Sequence, residues 1–331
     1  MKNDFLPKEF IPAHELCFFI HDLLANTLVS GENQDIFNYK FSLEEKIANN
    51  LGKDEDIFLF LQENELYEHR NKVLKTIILP AILSDTLHCI YEALISSKKG
   101  KLNISYMLIR KPIQESLYLL ESMIIDETAF GKSMADNPLE LRHSLTMKKN
   151  GVKGHEERIN IVLDKLQLSN LFSASYLANL RYNKRCEDNF DGICNHAMHL
   201  FTEHDAIKTD KLNINFIFSD YNSKLTQWAY LYSRLPYLLL YLYYIVEHLM
   251  EEICPTDKWY IEEMELRIFA HFILLFENLH EAYYSDELIK IIEFATNKLN
   301  DFCTNVLKKP FDKLIIENIA NNGISDYKDT K

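Results

Sequence analysis

From Leu235 to Val246 the chain is apolar or aromatic at every position, inside a longer stretch running from Ser223 to Glu252. A helix written this way has no face for water, so it must be surrounded by other helices. We therefore expect residues 223–252 to form the core axis, with Pro236 either kinking it or opening its second half. The run falls short of the roughly 20 residues that a membrane span needs, and Arg234, Glu247 and His248 bound it closely. No membrane span is expected from it.

Elsewhere the pattern has the helical period. Residues 13–29 place Leu16, Phe19, Ile20, Leu23 and Leu24 on one stripe, and Ser30 and Gly31 end the segment. Ser42 and Glu45 have capping-box spacing, predicting a short helix from about residue 43. One or two amphipathic helices follow over 57–79, and Pro80 suits the first turn of another running to Ser97. Asn103 reads as the cap of a helix over 104–125, which Pro112 should kink. Further helices are expected over 156–167, 173–184, 192–203, 257–282, 286–308 and 311–321, with Ser219 as a cap for the central helix and Ser285 as the cap at 286. Only 8 Gly and 8 Pro occur, a depletion that disfavours turn-dense β architectures. The fold class is all-α, a multi-helix bundle.

Residues 131–156 turn toward Gly, Asn, Pro and Lys and are the best linker candidate, though 139–147 could hold a short helix. This divides the chain into 1–130 and 157–331, packed together, with one single domain as the alternative. A hydrophobic content of 47% is ample for a core. The six cysteines are dispersed, without CxxC pairs, and read as reduced core residues. MKNDFLPKEF lacks the apolar region of a signal peptide, making the cytoplasm the default location.

A net charge of −13 argues against a surface that tracks nucleic acid everywhere. Three windows nevertheless hold basic residues and no acids: 98–111, 148–153 and 181–185. Lys98, Lys99, Lys101, Arg181, Lys184 and Arg185 are the candidate RNA contacts, with solvated charge at helix ends as the plain alternative. No DNA-binding motif, GxGxxG, P-loop or GxSxG occurs.

Two clusters could carry chemistry. On a helix over 192–203, His196, His199 and Glu203 would project from one face. A metal would need a fourth ligand that the sequence does not show, so neither metal nor other cofactor is expected. Arg110 shares a stripe with Tyr106, Met107, Ile113 and Leu117, where burial requires a carboxylate or an anionic ligand. Glu115, five positions on, leaves that face unless the kink brings it round, and Lys111 is its easier partner.

The helix RKPIQESLYLLE, the later Cys194-Asn195-His196 element and the long loop before an aromatic helix together resemble HEPN-type helical bundles, particularly the divergent ones of abortive infection and phage defence. The resemblance spans about 101–250. It implies an all-α, often dimeric protein acting as a metal-independent ribonuclease, with Arg110, Asn195 and His196 facing a shared cleft. Glu115 and His199 complete the candidate catalytic set. The family's Arg-x4–6-His spacing is absent, and Arg267-x-x-x-His271 is the nearest approach to it. The alternative is a non-catalytic helical interaction module or antitoxin-like scaffold with a protein partner.

Overall fold

The computed structural model describes residues 5–44, 47, 52, 56–217 and 219–324, and every regular element among them is helical. In chain order these are α1 (Ile11–Asn33), α2 (Ile57–Glu63), α3 (Tyr67–Lys98) and α4 (Leu102–Lys111). A π-helical turn (Pro112–Ser116) leads into α5 (Leu117–Ile125), followed by α6 (Glu127–Asp136), α7 (His143–Leu166), α8 (Ala174–Tyr182) and α9 (Phe190–Met198). The last four are α10 (Tyr221–Glu251), α11 (Lys258–Asn278), α12 (Asp286–Phe302) and α13 (Lys313–Asn322). The capping box at Ser42 to Glu45 lies partly outside the described residues.

Side-chain caps set many of the starts. Asp56, Asp126, Ser173, Asp220, Ser285 and Asp312 each accept from a backbone N–H in the following first turn, satisfying donors that the helix itself cannot. Ser285 caps as its sequence suggests, whereas α10 takes Asp220 and α4 begins after Lys101 with no side-chain cap. Pro80 lies inside the 32 residues of α3 rather than opening a new helix. The segment 131–156 is helical for most of its length, with Gly151 at φ 62° bending α7 where a residue bearing a Cβ would be strained.

The aromatic helix α10 is the axis. Leu239, Leu242 and Ile245 are 2%, 3% and 0% exposed, and the buried set runs almost unbroken from Trp228 to Met250. One apolar cluster joins this helix to α1, α3, α4, α5, α8, α11, α12 and α13. Tyr232, Tyr237, Tyr241 and Tyr243 are buried, and several of the helix's tyrosine hydroxyls reach polar partners on neighbouring elements. Tyr232 meets His14 of α1 at 2.7 Å and Ser97 of α3 at 2.9 Å, and Tyr241 donates to Glu121 of α5 at 3.1 Å. Trp228 donates to the Ser97 carbonyl at 3.1 Å. Cutting Leu242 back to alanine in this close-packed setting should destabilise the fold by about 2–5 kcal/mol, read from the urea midpoint.

A carboxylate is built into the far end of the axis. Burial, then the neighbouring Glu251 and Glu265, push Glu247 up to about 7. Because the folded state disfavours its charge, the stability tied to its protonation is complete below the ordinary carboxylate range and is lost as pH rises through 7. Glu247→Gln should remove that pH dependence and raise stability at pH 8 by about 1–3 kcal/mol. Melting curves at pH 5 and pH 8 check both parts.

Among the described residues one helix, α3, is long and apolar enough to cross a membrane by length and composition. Its most apolar stretch has a mean hydropathy of 1.5 and is 39% buried against the rest of the protein.

Candidate functional site

Pro112 is the origin of the site. It has no N–H and its ring crowds the carbonyl one turn back, so the regular ladder is interrupted. The chain widens into the π turn, a form that accommodates an extra residue. In that wider turn positions five apart come together: Arg110 Nη1 lies 3.8 Å from Glu115 Oε1. Lys111, the partner expected for Glu115, instead bonds Asp85 at 2.8 Å.

The carbonyls of the π turn are claimed from α8. Arg181 Nε donates to the Ile113 carbonyl at 2.7 Å and the Tyr182 hydroxyl donates to the Gln114 carbonyl at 3.1 Å. Arg181, a candidate RNA contact by sequence, is wholly buried. Its guanidinium pairs with Glu121, beside the hydroxyls of Tyr182 and Tyr241. Burial opposes the charge, and the Glu121 carboxylate more than offsets it, holding the arginine above its ordinary range. Arg181 therefore braces the wall of the site and cannot meet RNA.

Four segments converge on a cleft of about 530 Å³. The π-turn region contributes Arg110 and Gln114, and α7 contributes His143, Lys148 and Gly151. The connection after α8 and the start of α9 bring Tyr182, Lys184, Arg185 and Asp191, and the following loop brings His204. That connection is pinned to the central helix through Asp188, which accepts from Tyr176, Tyr230 and Arg234, each at 2.7 Å.

Arg110 is the unusual member. Its side chain is 25% exposed and makes no hydrogen bond among the described residues; its only ion pair is the 3.8 Å contact with Glu115, and Nε is buried without a partner. A guanidinium carries five donors, so most of its bonding capacity is open. Lys184 is 3.9 Å from Asp191, again outside hydrogen-bond distance. His143 stacks on Tyr182 with ring centres 5.6 Å apart, His155 stacks on the same tyrosine at 3.7 Å, and the two imidazoles lie 6.3 Å from each other. Burial, then the charges of Arg110 and Arg181, lower His143 against the pull of Glu115 and Asp191, so it is neutral at pH 7. Burial takes His155 down to about 3.

The other expected site residues sit elsewhere. Helix α9 stops at Met198 and His199 is already extended, so His196, His199 and Glu203 do not share a helical face. His196 Nε2 meets the Ile207 carbonyl at 2.6 Å and lines a separate, polar pocket with Lys208 and Asn215. Asn195 donates to the Asp191 carboxylate at 2.7 Å, bracing the cleft from behind. Lys98, Lys99 and Lys101 lie at the α3–α4 turn, one length of α4, about 12 Å by helical rise, from Arg110. Arg267 and His271 lie apart from this cleft, lining a different pocket with His14: Arg267 donates to the carbonyls of Ala320 (3.3 Å) and Asn321 (3.1 Å) at the end of α13, and His271 faces the same Ala320 carbonyl.

Sequence reasoning gave no site role to His143, His204, Gln114 and Asp191, and met Lys148 only as part of the basic window 148–153. His143, Met147, Lys148 and Gly151 occupy one face at helical spacing, a signal hidden by reading their stretch as a linker. Among the described residues no group of three or more His, Cys, Asp or Glu side chains could hold a metal ion. No protein-family model, no curated protein and no solved structure matches the chain.

Proposed function

We propose that the chain binds single-stranded RNA in the Arg110 cleft and cleaves it there by transfer to the 2'-hydroxyl, as the HEPN-type resemblance implies, but with imidazoles other than those the resemblance suggests. The observation that carries the reading is Arg110 itself, a largely buried guanidinium with almost all of its donors open. Burying such a charge is costly unless an anion meets it, and a phosphate is the anion whose geometry matches the guanidinium fork. Lys148, Lys184 and Arg185 add positive charge around it.

The chemistry needs a base, an acid and charge neutralisation. Neutral His143 takes the proton of the 2'-hydroxyl, whose oxygen attacks phosphorus. The bond from phosphorus to the 5'-oxygen breaks, and His204 protonates the departing oxygen. To give this proton without becoming an imidazolate, His204 starts the step as the imidazolium; its Nδ1 otherwise accepts from the Ala206 N–H at 3.2 Å, a bond that protonation releases while Nε2–H donates. The products are a 2',3'-cyclic phosphate and a 5'-hydroxyl. Side chains supply all the positive charge, so the reaction needs no added metal.

The test is incubation of the full chain with a labelled single-stranded RNA in EDTA, alongside the DNA of the same sequence. Cleavage of the RNA to cyclic-phosphate ends, with the DNA intact, is the expected result. An intact RNA, or cleavage of both strands alike, removes the reading.

A second reading, a non-catalytic interaction module, draws on the loop between α9 and α10. Thr202, Thr209 and Asn215 cross-link it with hydrogen bonds, while Leu200, Phe201 and Leu212 stand 59%, 61% and 104% exposed. An ordered loop holding apolar side chains in water is what a protein partner would cover. Under this reading the wild type leaves RNA intact and Phe201→Glu abolishes partner binding.

A further inference from the structure

The cleft wall contains two polar side chains whose bonding is incomplete in one direction. Gln114 is 1% exposed, and its Nε2 donates to the Arg181 carbonyl at 2.7 Å and to Asp191 Oδ1 at 2.6 Å. Two acceptors fix the amide's orientation, because a flipped amide would set its oxygen against a carbonyl and a carboxylate. Gln114 Oε1 is thus held in place, and among the described residues it accepts no hydrogen bond. Buried acceptors left empty are uncommon and unfavourable.

Asp191 repeats the pattern. Its Oδ1 takes the amides of Gln114 and Asn195, whereas among the described residues Oδ2 has only Lys184 Nζ at 3.9 Å. The two residues are bonded to each other and both line the cleft beside Arg110. Their free capacity is therefore a pair of acceptors, one neutral and one anionic, in the wall beside the phosphate-binding cations; Gln114 Oε1 is itself closed to solvent, so a base meets it by parting that wall.

Resting on the reading of this cleft as an RNA site, we propose that Gln114 and Asp191 select guanine by accepting its N1–H and its 2-amino group. Guanine is the base whose neutral form offers two adjacent donors on one edge. Adenine and cytosine present one amino group beside a ring acceptor, and uracil one N–H between two carbonyls. Each of those would set an acceptor against Gln114 Oε1 or Asp191 Oδ2, an arrangement that rejects the wrong base by leaving buried groups unpaired. A carboxylate accepting from the base also makes the stronger, charge-assisted bond. Lys184, loosely held by Asp191, is then released toward the phosphate.

The experiment is a calorimetric titration of the full chain with GMP, IMP, AMP, CMP and UMP, with inorganic phosphate as reference. GMP should bind at least about tenfold more tightly than AMP, CMP or UMP, the discrimination expected of one bidentate base contact. IMP, which keeps N1–H and lacks the 2-amino group, should lose most of that advantage. Asp191→Asn should bring GMP to the level of UMP. Should that variant fail to fold by circular dichroism, the wild-type series decides alone. Equal affinities for all nucleotides, or a preference for another base, overturn the guanine assignment while leaving the cleft as a phosphate site. Failure of every nucleotide and of phosphate to bind overturns the RNA reading as well.

Discussion

Replacing Arg181 with alanine should cost about 3–5 kcal/mol of folding stability, the typical penalty for leaving one member of a buried ion pair alone. Glu121 would lose its guanidinium partner at a position that is 1% exposed, keeping only the Tyr241 hydroxyl. The Ile113 carbonyl, freed by the π turn, would lose its donor too. The pair itself is not expected to be worth this much, because both charges must be stripped of water. Arg181→Met combined with Glu121→Leu should therefore recover most of the loss. Urea unfolding of wild type, the single variant and the double variant checks this. A single variant within about 1 kcal/mol of wild type would mean that Arg181 does not brace the π turn.

In the cleavage assay, His143→Ala should lower the rate by about 10²–10⁴, the usual contribution of a positioned proton-transfer group. Arg110→Ala should cost about 10²–10³, comparable to removing a donor that stabilises developing charge. The pH profile separates these two roles. A base must be deprotonated, so on the acid side the wild-type rate should rise through the lowered pKa of His143. Arg110→Ala should retain that acid limb at reduced height, whereas His143→Ala should lose it. Parallel loss of activity with unchanged pH profiles in both variants would show that His143 is not the base.

The fold was legible because its main signal is unambiguous. A stretch such as Leu235 to Val246, apolar on every side, has only the middle of a bundle to occupy, and α10 occupies it. Arg110 was equally legible as a cation in need of an anion, since Pro112 beside it forecast an irregular turn. The form of that turn was not: a kink at proline and a π turn at proline look the same in sequence, yet only the latter brings Glu115 toward Arg110.

Two further features were hidden by local composition. Glycine, proline and lysine between 131 and 156 suggest a linker, and tertiary packing overrides that propensity to make α7, placing His143 in the cleft. Arg181 belongs to a basic window and reads as solvated charge. Its acid partner, Glu121, lies on another helix, and no short-range pattern reveals a pairing made only by packing. The helix expected to carry His196 and His199 ends one residue before His199, a boundary within the usual uncertainty of helix termini but enough to turn the imidazole away.

The central claim is that Arg110 holds an RNA phosphate. The direct measurement is binding of a 2'-O-methyl oligonucleotide, which cannot react, to wild type and to Arg110→Ala across a salt series. The account predicts roughly tenfold weaker binding by the variant and a salt slope shallower by about one unit, one phosphate contact having been removed. Identical affinity and slope for the two proteins, both folded by circular dichroism, would contradict it.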